Sequence, residues 1–278
     1  MAPRRHTAHM TDLLRCPVCG QTLANAGSAL RCSAGHSFDV AKEGYVNLLT
    51  GGRRSGDDRG DSREMARSRH RFLSADPYGI LADGVGDVMA SVCPDGGTVL
   101  DICCGEGYYT DRLARRFPGN TYLGFDLSRE MVRLASKRGC GASFFVANIS
   151  AIPLADASVD FALHLFAPFH AQEFARVLRP GGTLVTAIPG RDHLLGLKEI
   201  LYDRVRLNDE IAPDPGELRV TDRIRIRGEL TLTEPEDILA LLQMTPYYFR
   251  TPAEGVARLT NCGRLTTPIE FLLLRCEK

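Results

Sequence analysis

A chain of 278 residues has room for one full domain core and a small additional module. Its 44% hydrophobic and 24% charged residues fit an ordinary globular protein, and no apolar run approaches the roughly 20 residues of a membrane span. The zero formal charge hides an asymmetry. Residues 1–75 hold 12 Lys and Arg against 7 Asp and Glu, a net of +5 that leaves −5 on the remainder. A basic N-terminal third suits a module that docks on a polyanion, and also a merely solvated surface. Met1–Met10 is basic and polar, without the apolar stretch of a secretory signal, so a cytoplasmic location is expected.

In chain order, residues 11–50 form a compact, turn-rich segment with two cysteine knuckles. Gly51–Asp61 is glycine-rich and charged and reads as a linker. Ser62 is a plausible N-cap for a helix to about Leu73, and a second helix covers Ile80–Val92. From Thr98 strands alternate with helices. Strands are expected over Thr98–Ile102, Thr121–Phe125, Ser143–Ala147, Val159–Leu165 and Thr183–Ile188. Helices are expected over Tyr108–Phe117, Arg129–Lys137, Ala171–Val177 and His193–Leu207. Arg223–Leu232 and Ile269–Cys276 read as strands closing a sheet edge. This pattern means α/β architecture with a parallel, doubly wound, Rossmann-like sheet. The expected division is a zinc-binding module over 1–50, linker and helices over 51–94, and the sheet domain over 95–278.

Five of the nine cysteines sit in motifs, and the odd count argues against a disulfide framework. Cys16-Pro-Val-Cys19 and Cys32-Ser-Ala-Gly-His36 are separated by twelve residues. Two thiolates two residues apart grip one ion from a tight turn, and a second Cys/His pair returned by a hairpin completes a tetrahedron. Four protein ligands leave no open position, so Cys16, Cys19, Cys32 and His36 would hold a structural zinc. Buried thiols in a small core and a redox C-x-x-C are the competing explanations.

Val99-Leu-Asp101-Ile-Cys103-Cys-Gly105-Glu106-Gly107 ends the first strand and opens a helix. Gly105 and Gly107 let backbone approach a ligand at the helix N-terminus, and Asp126 lies nineteen residues past Gly107, where ribose hydroxyls are held. The alternative is a glycine-rich turn without ligand. A dinucleotide site would want glycine where Thr110 stands. The run is similar instead to the D-x-G-x-G-x-G signature of class I methyltransferases, whose acidic first residue, Asp101 here, suits the cationic methionine part of S-adenosylmethionine. Arg179-Pro-Gly-Gly182 strengthens that likeness. One position departs from it: Cys103 replaces the first glycine.

Over nearly its whole length the chain resembles the bacterial 23S rRNA guanine-N1-methyltransferases. The resemblance rests on Cys16–Cys19, Cys32 with His36, Ala41-Lys-Glu-Gly-Tyr-Val-Asn-Leu-Leu49 and Gly60-Asp-Ser62. It continues in Gly105-Glu-Gly-Tyr-Tyr-Thr110, Ala175-Arg-Val177 and Leu241-Leu-Gln-Met-Thr-Pro246. It implies an S-adenosylmethionine-dependent enzyme whose zinc module recognises the hairpin 35 loop in domain II of 23S rRNA, acting as a homodimer. One branch of the family modifies one guanine of that loop. The other, Gram-positive, branch modifies a nearby guanine and is linked to tylosin resistance, and the arginine-rich composition favours it. Gly105, Glu106 and Asp126 would contact the cofactor, Tyr78 would close over it, and His193 would stand near its methionine end. Taken singly, Tyr78 and His193 would read as a packed aromatic and a helix-start residue.

N1 of guanine carries a proton at neutral pH, so a base is expected within reach. Glu106, Asp126, His170 and His193 are the candidates, with Asp126 committed to ribose. His170 and Glu106 lead, and the base stays unassigned. Leu165-Phe-Ala-Pro-Phe-His170 leaves the fourth strand, where this class places its target base. Phe166 or Phe169 could stack on it, although Phe169 and His170 differ from the family pattern. Arg63, Arg67, Arg69 and Arg71 on a helix, and Arg223, Arg225 and Arg227 alternating along a strand, suit phosphate contact or a solvated face. Competing readings are modification of the other hairpin guanine, a small-molecule methyltransferase, and a non-catalytic zinc-ribbon RNA-binding protein.

Overall fold

The computed structural model describes residues 12–50 and 63–278, with Arg63 as main chain only. The expected linker and the Ser62 cap lie outside the described residues. A three-stranded antiparallel sheet, β1 (Ala24–Asn25), β2 (Ala29–Arg31) and β3 (Ser37–Asp39), carries the cysteine knuckles. An eight-stranded sheet makes the body, in the order β10-β11-β9-β8-β5-β6-β7-β4. Its strands are β4 (Val46–Asn47), β5 (Thr98–Ile102), β6 (Thr121–Asp126), β7 (Ser143–Val146), β8 (Val159–Leu165), β9 (Leu178–Pro189), β10 (Arg219–Leu232) and β11 (Leu265–Glu277). Pairings from β4 through β9 are parallel, and β11 and β10 close the far edge antiparallel.

The helices are α1 (Arg63–Ser74), α2 (Gly79–Val92), α3 (Tyr108–Arg116), α4 (Arg129–Lys137), α5 (Ala171–Val177), α6 (Leu195–Leu201), α7 (Pro235–Gln243) and α8 (Ala253–Thr260). Parallel strands need crossovers, and α3, α4 and α5 supply three of them. All five residues of β5 are buried, as a strand covered on both faces requires. The chain steps from β5 outward to β6 and β7 and then back to β8. The crevice at the carboxyl ends of β5 and β8 is therefore the topological switch point where ligands of such sheets bind.

Several expected elements need correction. The helix expected over His193–Leu207 spans only Leu195–Leu201. Leu194 enters in the left-handed region (φ 58°), and Tyr202 leaves in an extended conformation. Lys198 Nζ then donates to the Arg206 carbonyl at 3.2 Å and to Asn208 Oδ1 at 2.6 Å, fastening the irregular chain that follows. β9 begins five residues before the expected Thr183, because Leu178 already pairs with Val159 across a register shift. Helices α7 and α8 were not anticipated. Their apolar residues join a core with α2, which hides their role from local patterning.

The cysteine-bearing segment is stitched to the large sheet at two places. Val46 and Asn47 pair parallel with Phe145 and Val146. Arg15 N donates to the Pro153 carbonyl and Ala155 N to the Leu13 carbonyl, both at 2.9 Å. Leu14, Leu23 and Leu30 are at most 1% exposed and pack in one cluster with Leu100, Phe125 and Phe145 of the sheet. Each such leucine contributes roughly 1.5–3 kcal/mol. Tyr45 is buried on Val132 and Phe144, and its hydroxyl accepts from Arg129 Nε at 3.0 Å. The Tyr45-Val-Asn47 string is thus a seam.

Candidate active site and zinc centre

The ligand atoms of Cys16, Cys19, Cys32 and His36 lie within 4.8 Å of one another. Cys16 Sγ and Cys32 Sγ stand 3.5 and 3.4 Å from His36 Nδ1, and Cys19 Sγ stands 3.7 Å from Cys32 Sγ. Tetrahedral zinc, with Zn–S about 2.3 Å and Zn–N about 2.0–2.1 Å, spaces sulfurs by about 3.8 Å and sulfur from nitrogen by about 3.6 Å. The donor set fits zinc, with Nδ1 the ligating imidazole atom. Burial pushes the Cys32 thiol up, but hydrogen bonds at His36, Cys19 and Ala34 outweigh it and bring it down to about 6. Gly20 (φ 74°) and Gly35 (φ 88°) make the knuckle turns.

At the carboxyl end of β5, Asp101 is 3% exposed and accepts a 2.5 Å bond from Thr110 Oγ1. The threonine in the third-glycine slot therefore has a job: it ties the helix to the strand. Burial raises Asp101 to about 7, with Asp126 adding to the rise against the Thr110 bonds. Cys103 adopts φ 58°, the left-handed region that Gly105 (55°) and Gly107 (78°) also occupy and that glycine adopts without steric cost. A Cβ on Gly105 would meet nothing within 4 Å, whereas one on Gly107 would meet Ala135 Cβ at 2.9 Å. The open side of Gly105 and the packed side of Gly107 are what a ligand-cradling turn requires. Asp126, at the end of β6, accepts from Gly105 N at 3.0 Å and Ser128 N at 2.8 Å. Glu106 is fully enclosed. Its Oε2 accepts from Arg138 Nε and lies 2.9 Å from His70 Nδ1 on α1, and Oε1 is buried with no partner among the described residues.

Tyr78 and His193, far apart in sequence, come together. Their rings are 6.0 Å apart, and both lie against Phe271, at 5.1 and 4.7 Å. His193 Nδ1 accepts from Glu270 N at 3.2 Å. Burial, helped by nearby Lys198 and opposed by Glu270, lowers His193 to about 4, so its imidazole is neutral. The Glu270 carboxylate holds the same turn through Asp192 N at 2.9 Å.

The geometry has counterparts among known proteins. Residues 99–182 match the family model described as a methyltransferase domain, and residues 14–52 match the zinc-ribbon model described as RlmA, N-terminal. The 23S rRNA (guanine(748)-N(1))-methyltransferase of Streptomyces fradiae is 35% identical, covering 94% of this chain and 96% of its own. A protein of Micromonospora griseorubida named for guanine-N1 methylation of 23S rRNA is 36% identical over 91% and 93%. A similarly named Bacillus subtilis protein is 29% identical over 94% and 96%. The chain belongs to the 23S rRNA (guanine-N1)-methyltransferases. It is therefore an S-adenosylmethionine-dependent RNA methyltransferase with a structural zinc, and the described residues contain no helix long and apolar enough to cross a membrane.

In this guanine-N1-methyltransferase the loop after β8 separates the two candidate phenylalanines. Phe166 is 46% exposed, with its backbone in the left-handed region (φ 61°) and its ring 5.7 Å from Phe271. Phe169 packs edge-on against His164 and Phe174. His164, which the sequence did not single out, fixes this loop. Its Nδ1 lies 3.0 Å from Thr186 Oγ1 and its Nε2 3.1 Å from the Pro168 carbonyl. Only an Nε2–H can donate to that carbonyl, so Nδ1 accepts from the threonine. Burial lowers His164 to about 4. His170 caps α5 without a side-chain cap bond and is half-buried.

The arginine stripe on β10 is real: Arg223, Arg225 and Arg227 are all exposed on one face. Arg225 is engaged by Glu210 and Glu270, and Arg227 Nε donates to Glu270 Oε1 at 2.7 Å. Arg223 makes no ion pair among the described residues. On α1, Arg71 pairs with Glu236 and Asp237 of α7, while Arg67 is exposed. The side chain of Arg63 lies outside the described residues. The Glu270 junction escaped sequence reading because its partners come from 43 to 78 residues away.

Proposed function

We propose that this enzyme methylates N1 of a guanine in the hairpin 35 loop of domain II of 23S rRNA, at the Gram-positive site linked to tylosin resistance. The observation that carries the position is near full-length similarity to the Streptomyces fradiae enzyme, whose name specifies guanine 748. Asp126 would hold the ribose, Gly105 and Gly107 the approach of the donor, and Tyr78 and His193 the wall at its methionine end. S-adenosylmethionine supplies the electrophilic methyl, and positioning with exclusion of water supplies most of the rate.

Phe166 is the exposed aromatic at the carboxyl end of β8 and would stack on the extruded guanine. His170 is assigned as the base for the N1 proton. Among the described residues its imidazole makes no hydrogen bond, whereas Glu106 is held by Arg138 and His70, Asp126 by two amides and His193 by Glu270 N. The zinc module would grip the RNA, with Arg67 and Arg223 on phosphates, Arg63 as a further candidate, and Arg71, Arg225 and Arg227 joining them by exchanging their carboxylate partners for phosphate. The enzyme would work in the cytoplasm as a homodimer with division into 1–50, 51–94 and 95–278.

Primer extension on 23S rRNA incubated with enzyme and donor tests the reading, since a methyl on N1 blocks pairing. A new stop at the guanine equivalent to that of the Streptomyces fradiae enzyme is expected. A stop at the other hairpin guanine, or none, contradicts it.

A further inference from the structure

Three side-chain atoms among the described residues are buried without a hydrogen-bond partner, and two of them belong to Glu106 and Tyr109, on either side of Gly107. Glu106 Oε1 is an acceptor, and the Tyr109 hydroxyl is a donor. Such atoms are costly to leave unsatisfied inside a protein, and each calls for an explanation. Neither is explained by the fold. Glu106 already meets its structural partners, Arg138 and His70, through Oε2. Tyr109 packs edge-on against Tyr108, with ring centroids 4.9 Å apart, and its hydroxyl has no hydrogen-bond partner among the described residues.

Both residues face the same turn of α1. His70 meets Glu106, and the charge of the adjacent Arg69 acts on the phenols of Tyr78 and Tyr109 against the upward push of burial. The loop and first helical turn that follow Gly105 thus carry one orphaned acceptor and one orphaned donor, with the charge of Arg69 acting on the donor. An α-amino acid end has the complementary pair, an ammonium that donates and a carboxylate that accepts. Adenine and ribose also carry donors and acceptors, but neutral ones, whereas the amino-acid end meets a carboxylate and a cation-backed hydroxyl with charge-assisted bonds.

We infer that Glu106 Oε1 receives the α-ammonium of the methyl donor and that the Tyr109 hydroxyl, with Arg69 behind it, receives its α-carboxylate. These residues are positioning groups, and they set the sulfonium against the target by holding the tail of the donor. The inference rests on the donor-pocket reading above, but not on which RNA is methylated.

Calorimetric binding tests it without activity. S-adenosylhomocysteine carries the amino-acid end, decarboxylated S-adenosylmethionine lacks only the carboxylate, and 5′-methylthioadenosine lacks the whole aminocarboxypropyl group. Tyr109→Phe removes one oxygen from a helix turn. It is expected to weaken S-adenosylhomocysteine about tenfold or more, the usual worth of a hydrogen bond to a charged group. The other two ligands should bind the variant as they bind the parent. Arg69→Gln should show the same selectivity. Glu106→Gln keeps the shape and should weaken the homocysteine and decarboxylated ligands but spare methylthioadenosine. Unchanged binding of S-adenosylhomocysteine to Tyr109→Phe overturns the inference, as does equal weakening of all three ligands. A parent enzyme that binds the homocysteine ligand but labels no 23S rRNA would sink the proposed function and leave this assignment standing.

Discussion

The zinc ribbon and the large sheet solve the same problem of stability in opposite ways. Strands β5 and β8 lie in the middle of an eight-stranded sheet with helices on its faces, and nearly every residue in them is buried. Strands β1, β2 and β3 have two or three residues each, and β1 is wholly exposed. A sheet that small does not stand alone in water. The ribbon relies on its metal and on lending Leu14, Leu23 and Leu30 to the core of its neighbour. The metal-held part should therefore fail by itself, and the self-supporting part should keep its donor pocket when it does.

The largest expected effect is removal of zinc. Structural zinc binding in small fingers is worth about 10–16 kcal/mol. Chelation, or Cys19→Ser at the exposed ligand, should raise amide exchange across residues 14–47 by orders of magnitude while β5 and β8 stay protected. Equal loss in both regions would mean that they are one cooperative unit and would break the contrast. Next comes the loop after β8. Phe166→Ala should raise KM for RNA about tenfold, since stacking of a base on an aromatic is worth about 1–3 kcal/mol, with little change in Tm. Phe169→Ala should lower Tm instead, and the reverse pattern would exchange the two roles.

The buried imidazoles give a smaller, pH-dependent effect. His164 and His193 are held near 4, below the ordinary 6.5. Between those values the unfolded chain takes up protons that the folded one refuses. Their contribution to stability is therefore complete above about 6.5, falls as pH drops through the window and levels off below about 4. Asp101, raised to about 7, works in the opposite sense and is the weaker partner of two histidines. Ring signals of these two histidines should stay neutral down to about pH 4 in NMR titrations. Normal titration of either near 6.5 would show that its pocket is wet. The smallest effect is Cys103→Gly. It relieves a left-handed Cβ-bearing residue at the cost of a more flexible unfolded chain, for a net gain of about 1 kcal/mol in denaturant unfolding.

The sheet was legible because its signals are local. An apolar run such as Val159–Leu165 and a capped helix such as Arg129–Lys137 are written in consecutive residues, and their bounds agree with the structure. The zinc ligands were legible for the same reason, through spacing. Tyr78 and His193 were singled out only by resemblance, because what brings their rings together is Phe271 on the last strand, β11. Glu270 and His164 gave no local signal at all. Each acts through partners supplied by other strands or loops. The β10 arginines show the limit from the other side: alternation placed them on one face correctly, but could not show that Glu210 and Glu270 already engage Arg225.

On the proposed division of labour, the ribbon brings the RNA and the sheet holds the donor. The direct measurement is methyl transfer to 23S rRNA by the Cys19→Ser enzyme, beside its calorimetric affinity for S-adenosylhomocysteine. The division predicts near-parental ligand affinity with methylation reduced at least a hundredfold, a loss of about 3 kcal/mol in kcat/KM. Undiminished methylation without zinc would contradict it.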